Sequence, residues 1–182
     1  EVEYSGEAAA LEVAPITVAV LKGLLESVSD QVNMVNAPVI AQERGIRVIE
    51  SKSSRPADFA SAITTRVSGC LERLVAGAVF HGGQPRIVRI DDFMLEAIPE
   101  GPTILLHNQD RPGVVGQVGT VLGQEGLNIS RMQLGLVSER GEHVVVRRCA
   151  AHDRERHFVR LGGALDLAET VHRAPVHSDQ QV

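Results

Sequence analysis

The chain has 182 residues, enough for one large domain or two small ones, with 43% hydrophobic and 23% charged side chains. Its net charge of −5 offers no electrostatic footprint for DNA, RNA or an anionic membrane. Aromatic residues make up 3% with no Trp, so the core must be built from Val, Ile, Leu and Ala, and rings are too few for a platform that stacks single-stranded nucleic acid. Cys70 and Cys149 form no CxxC pair. They are expected to be small buried apolar side chains of a protein in the reducing cytoplasm. No apolar run reaches the roughly 20 residues that span a bilayer, and the opening Glu-Val-Glu-Tyr has no signal core. The chain starts without Met inside a strand pattern, which reads as a piece of something longer.

In chain order, Val2–Ser5 is a short strand. From Pro15 onward, Ile16, Val20, Leu21, Leu24, Leu25 and Val28 recur at helical spacing, and Pro suits a first helical turn. Asn36-Ala-Pro38 begins a second, shorter helix that Gly45 stops, since Gly accepts the left-handed conformation common past a helix end. Ile46–Ser51 alternates and is predicted as a strand, whereas Ser51–Asp58, polar and holding Pro56, is predicted as a loop. Ala62–Ser68, Leu71–Phe80 and Pro85–Ile90 follow as strands, with Gly82-Gly83 turning between the last two. Phe93–Ile98 closes this unit, and Pro99-Glu-Gly-Pro102 marks a boundary. Residues 1–98 are therefore expected to form one α/β domain.

The second unit is more regular. Thr103–His107 is an apolar strand broken by Asp110-Arg-Pro112-Gly113. Val114, Val118, Val121 and Leu122 then line one face of an amphipathic helix, which Gln124-Glu-Gly126 ends. Asn128–Val137 alternates, Glu139-Arg-Gly141-Glu142 turns, and His143–Cys149 is another strand. A helix from about Asp153 and a strand within Leu165–Val171 complete a β-α-β-β-α-β order over residues 103–173, a ferredoxin-like pattern. Gly162-Gly163 weakens that second helix by about 1 kcal/mol per glycine relative to Ala. The tail 174–182 is expected to be disordered. The fold class is thus α+β.

Catalytic signatures are missing. Gly113, Gly116 and Gly119 are spaced three apart throughout and make no dinucleotide fingerprint, and there is no phosphate loop, nucleophile elbow or HExxH. His152, His157, His172 and His177 cluster late in the chain without metal-ligand spacing. No catalytic residue, metal or cofactor is assigned. One constellation stands out at the first strand–helix junction of the second unit. Asn108 and Asp110 leave the strand before a helix whose first amides, near Gly113 and Val114, suit a carboxylate, and Asn128 opens the next strand. Asp110 can pair with an ammonium, and the Asn amides can serve a hydroxyl or amine. The same residue types also make an ordinary cap and turn.

The run His107-Asn-Gln-Asp-Arg-Pro-Gly-Val-Val-Gly-Gln-Val-Gly-Thr-Val-Leu-Gly-Gln-Glu-Gly-Leu-Asn-Ile129 resembles the start of an ACT domain as found at the C-terminus of D-3-phosphoglycerate dehydrogenases. Ala19–Leu25, Val32-Asn-Met-Val-Asn-Ala-Pro38, Glu43-Arg-Gly-Ile46, and Val75-Ala-Gly77 through Arg86-Ile-Val-Arg-Ile-Asp91 are similar to the long-form intervening domain of that family. The resemblance extends from residue 1 to about Val146 and fades beyond Cys149. It implies the regulatory portion of an enzyme of L-serine biosynthesis, cytoplasmic and self-associating through both domains. L-serine or a similar amino acid would bind at the ACT interface for feedback control. The family's ligand positions fall on Asn108, Asp110 and Asn128, the last supplied by a neighbouring copy. The resemblance also implies an anion site in the intervening domain, for which Arg86 and Arg89 are the candidates, although both also read as exposed charges on an alternating strand. The family's catalytic and NAD-binding domains have no counterpart here, so NAD enters only if the chain is joined to them. Two alternatives are a serine dehydratase-type regulatory subunit, whose Ser-rich substrate motif is missing, and a dimerisation fragment that senses nothing.

Overall fold

The computed structural model describes residues 1–53, 59–100, 103–109, 112–136, 142–150 and 170–172, and at 107–109, 136, 142–150 and 170–172 it describes the backbone. It divides into two compact units, Glu1–Asp91 and Asp92–Val182.

In the first unit, β1 (Val2–Gly6) leads through a 3-10 turn at Glu7–Ala10 into α1 (Ala14–Glu26) and α2 (Ala37–Glu43). The chain then returns as β2 (Glu50–Ser53), which pairs parallel to β1 with Val2 opposite Glu50. The strands β3 (Ser61–Val67), β4 (Arg73–Phe80) and β5 (Gln84–Ile90) add antiparallel on the other side, giving the order β5-β4-β3-β1-β2. The apolar spacing of α1 divides its surface between two partners. Leu21 and Leu25 are buried with Val32, Ala37 and Ala41 of the α2 side. Ile16 and Val20 pack with Val2, Tyr4, Ala8, Val13 and Ile63. Tyr4 is fully buried, and its phenol lies 2.7 Å from the Thr17 hydroxyl. Thr17 in turn donates to the Glu50 carboxylate, which can only accept, so Tyr4 donates to Thr17. That relay joins β1, α1 and β2.

Three expectations for this unit change, the first being that Ser51–Ser53 continue β2 where a loop is expected. Ile46–Ile49 is not a strand: among the described residues β2 pairs with β1 alone, and that pairing begins at Val2 opposite Glu50; Ile46, Val48 and Ile49 are left exposed. Cys70 is exposed rather than buried, since it lies in the turn between β3 and β4. Cys149 lies in the strand Glu142–Ala150, where the backbone alone is described.

The second unit holds β6 (Phe93–Ala97), β7 (Thr103–Gln109), α3 (Val114–Gln124), β8 (Asn128–Leu136), β9 (Glu142–Ala150) and β10 (Thr170–His172). The strand order is β10-β7-β9-β8-β6, antiparallel at each of these pairs. The run β10-β7-β9-β8 is the arrangement a ferredoxin-like unit requires. Val118 and Leu122, one turn apart on α3, are buried with Leu106 of β7, and Ile104, Val114, Leu127, Ile129 and Met132 pack around them. β6, which the sequence attaches to the end of the first unit, pairs here with β8 through Met94 and Leu136. The second helix expected from about Asp153 and the tail 174–182 lie outside the described residues.

Gly6 has φ +62, and a Cβ placed there would sit 2.0 Å from the Ala60 carbonyl oxygen, which accepts the Glu7 amide at 2.9 Å. Both the conformation and the space demand glycine. Gly6→Ala is expected to cost about 3 kcal/mol or more in chemical denaturation. Leu122→Ala, in the core of the second unit, is expected to cost about 2–5 kcal/mol. A Gly6→Ala chain as stable as the parent would contradict the close approach of residues 6 and 60.

Candidate functional site

The β7–α3 junction is built from a strand that is anchored in the core and a helix that is anchored beside it. Leu106 of β7 is 4% exposed, and Val118 and Leu122 hold α3 against it. Gly113 occupies the N-cap of α3 with φ +93, a left-handed conformation natural to glycine, and among the described residues no side chain caps the helix there. Its carbonyl accepts the Gln117 amide at 2.9 Å, which starts the helical ladder. Nothing lies within 4 Å of the position a Gly113 Cβ would take. The first amides of a helix have no intrahelical acceptor. Val114 follows, half-buried and packed on the core.

The other candidate residues separate into two groups. Asn108 is the penultimate residue of β7, paired in register with His143 of β9. Asp110 lies outside the described residues. Asn128 is exposed at the first position of β8, paired with Ala150 at the other end of β9. From His143 to Ala150 is seven residues of strand, roughly 23 Å. α3 bridges the same two ends with 11 residues, roughly 16 Å of helix. Asn108 and Gly113 share one end of the sheet, and Asn128 sits at the opposite end of the same chain.

Arg86 and Arg89 are three apart on β5, which in a regular strand places them on opposite faces. The register changes this. Arg86 pairs with Ala78 and Arg89 with Ala76, and the shift between Ala76 and Gly77 leaves Val88 as the extra residue of a β-bulge. Ala76 and Ala78 share a face of β4, so both arginines stand on it too, roughly 7 Å apart by the two-residue strand repeat. Ala62, Ala76, Ala78 and Val88 form a buried cluster on this side. Both arginines are half-buried, as expected of stems lying over small residues. Arg86 donates to the Pro85 carbonyl (2.9 Å) and to Gln84 Oε1 (2.7 Å), and Arg89 Nε donates to the Asp91 carbonyl (2.6 Å). Arg66, on the same face opposite Leu74, is committed elsewhere: its hydrogen bond to Glu72 at 2.6 Å, with Glu1 and Glu3 adding to it, raises its pKa.

Among the described residues no group of three or more His, Cys, Asp or Glu side chains comes together to hold a metal ion, and no helix is long and apolar enough to cross a membrane. The parallel, doubly wound sheet that cradles a dinucleotide is also missing from both units as described: one strand pair, β1–β2, is parallel.

Residues 1–91 match the family model described as the D-3-phosphoglycerate dehydrogenase intervening domain, and residues 103–157 match the ACT domain model. D-3-phosphoglycerate dehydrogenase of Bacillus subtilis is 34% identical over 169 residues, covering 91% of this chain and 32% of the relative. The enzymes of that name from Synechocystis and Methanocaldococcus jannaschii are 35% and 37% identical over 72% and 80% of the chain, and 24% and 28% of their own lengths. The chain thus spans about a quarter to a third of the relatives it matches. It belongs to the D-3-phosphoglycerate dehydrogenase family, in which it corresponds to the C-terminal regulatory part, an intervening domain followed by an ACT domain.

Proposed function

We propose that this chain binds L-serine or a close analogue between the ACT domains of two copies and so exerts feedback control in L-serine biosynthesis. The observation that carries the reading is the start of α3, where Gly113 at the N-cap has no side chain to compete with a carboxylate for the first helical amides. In this reading Asp110 takes the ammonium, Asn108 is assigned to the same ligand, and Val114 supports the helix start. Asn128 comes from the neighbouring copy. Strand order supports that last assignment, because Asn108 and Asn128 lie at opposite ends of β9, too far apart for one small amino acid to touch both within a chain.

The ligand would favour whichever arrangement of copies it binds better, with a coupling of about 1–3 kcal/mol typical of such systems. These residues hold no cofactor in this reading; NAD enters only with catalytic domains of the kind the whole enzymes carry. The setting is the cytoplasm. Of the alternatives, a serine dehydratase-type subunit is disfavoured by the match of residues 1–91 to the intervening domain of the dehydrogenase. A dimerising module that senses nothing is an outcome of the test.

Calorimetry with L-serine is expected to show binding to the parent chain and none to Asp110→Ala or Asn128→Ala. Unchanged affinity in both variants would sink the site, and a parent chain that binds no amino acid in a thermal-shift panel would leave the non-sensing module. Arg86 and Arg89 form the anion site of the intervening domain in the same reading, their shared face being its support. Inorganic phosphate should raise the melting midpoint of the parent chain, and that rise should vanish in the Arg86→Gln/Arg89→Gln double variant. An equal rise in both would remove the arginines from any anion site.

A further inference from the structure

Asp91 is the non-glycine residue with positive φ among the described residues, at +50. It is also the last residue of the first unit. Glycine enters this conformation freely and other residues enter it at a cost, so a plain turn would be served better by glycine. The bonds around Asp91 explain the exception. The β4–β5 ladder ends at the pair Val75–Ile90. One residue on, the Asp91 amide still donates to the Leu74 carbonyl at 2.7 Å, as a strand residue would. The Asp91 carbonyl does not return the bond: it accepts Arg89 Nε at 2.6 Å. The side chain takes its place, Oδ1 accepting the Leu74 amide at 2.8 Å while Oδ2 pairs with Arg73 Nε at 2.9 Å.

We infer that Asp91 is a clamp that locks the end of β5 to the start of β4, its side chain extending the ladder one residue past the last strand pair. The carboxylate stands in for a ladder carbonyl that the left-handed turn has carried away. Arg73 holds the carboxylate from one side, and Arg89 holds the main chain from the other. The clamp does not depend on which ligand the second unit takes.

The test compares Asp91→Asn, Asp91→Gly and Asp91→Ala in the full chain by amide hydrogen exchange. Asp91→Gly frees φ and removes the carboxylate, so it separates a clamp from a turn. The clamp predicts that the Leu74 amide exchanges about fivefold faster or more in Asp91→Gly, the loss expected for one hydrogen bond. Exchange at Ile63, in the middle of the sheet, should stay at the parent rate. Asp91→Asn, whose Oδ1 still accepts the Leu74 amide, should recover part of the protection even if Asp91→Ala fails to fold. A Leu74 amide in Asp91→Gly that exchanges less than about fivefold faster than in the parent overturns the inference, as does an Asn variant no better than Gly.

Discussion

The position of β9 governs the second unit. It lies between β7 and β8, antiparallel to both, so β7 and β8 run in the same direction without touching. A chain that leaves one end of β7 must cross the whole sheet before it can enter β8, and α3 makes that crossing. The start of α3 is thereby fixed beside the exit of β7, and Asn128 beside the far edge of the crossing. Residues that serve one small ligand can meet across this distance when two copies face each other, which couples recognition to association. With two-fold symmetry, a pair of copies would present two such sites, each using one end of each chain.

Packing keeps the helix start in place. Val114, Val118 and Leu122 follow one another at one-turn spacing, and Leu106 meets the last two from β7. Burying side chains of this size contributes roughly 1.5–3 kcal/mol each. The glycines at 116, 119 and 123 would otherwise weaken the helix, since each favours the unfolded chain. A short helix held by its apolar face can leave its first turn uncapped, and that first turn is where the ligand reading places a carboxylate.

How much of this was legible in the sequence depended on whether a feature needed a partner. α3 was legible, because its apolar spacing and the flanking Pro112-Gly113 and Gly126 are local signals. The strand order β10-β7-β9-β8 was legible as a consequence of the β-α-β-β element order. Ile46–Ile49 alternates as a strand would and is not one, since the register of β1 with β2 begins only at Val2 opposite Glu50. The bulge at Val88 depends on how β4 lies against β5, and no periodicity in Pro85–Ile90 announces it. The same holds for β6, whose pairing with β8 follows from sheet order rather than from the prolines after it. The candidate residues Asn108, Gly113 and Asn128 were legible by type and by family resemblance. Their separation along β9 was not, and neither was the role of Asp91, although Asp91-Asp92 between two strands is a turn signal.

The most direct test of the shared site is a mixed assembly. Asp110→Ala and Asn128→Ala chains, each expected to be silent toward serine alone, should together form pairs with one intact site, drawing Asp110 from one chain and Asn128 from the other. Calorimetry on the co-expressed chains is predicted to recover serine binding with one site per mixed pair, about one per four chains when they pair at random. No recovered binding, with both chains folded and associated, would contradict the account.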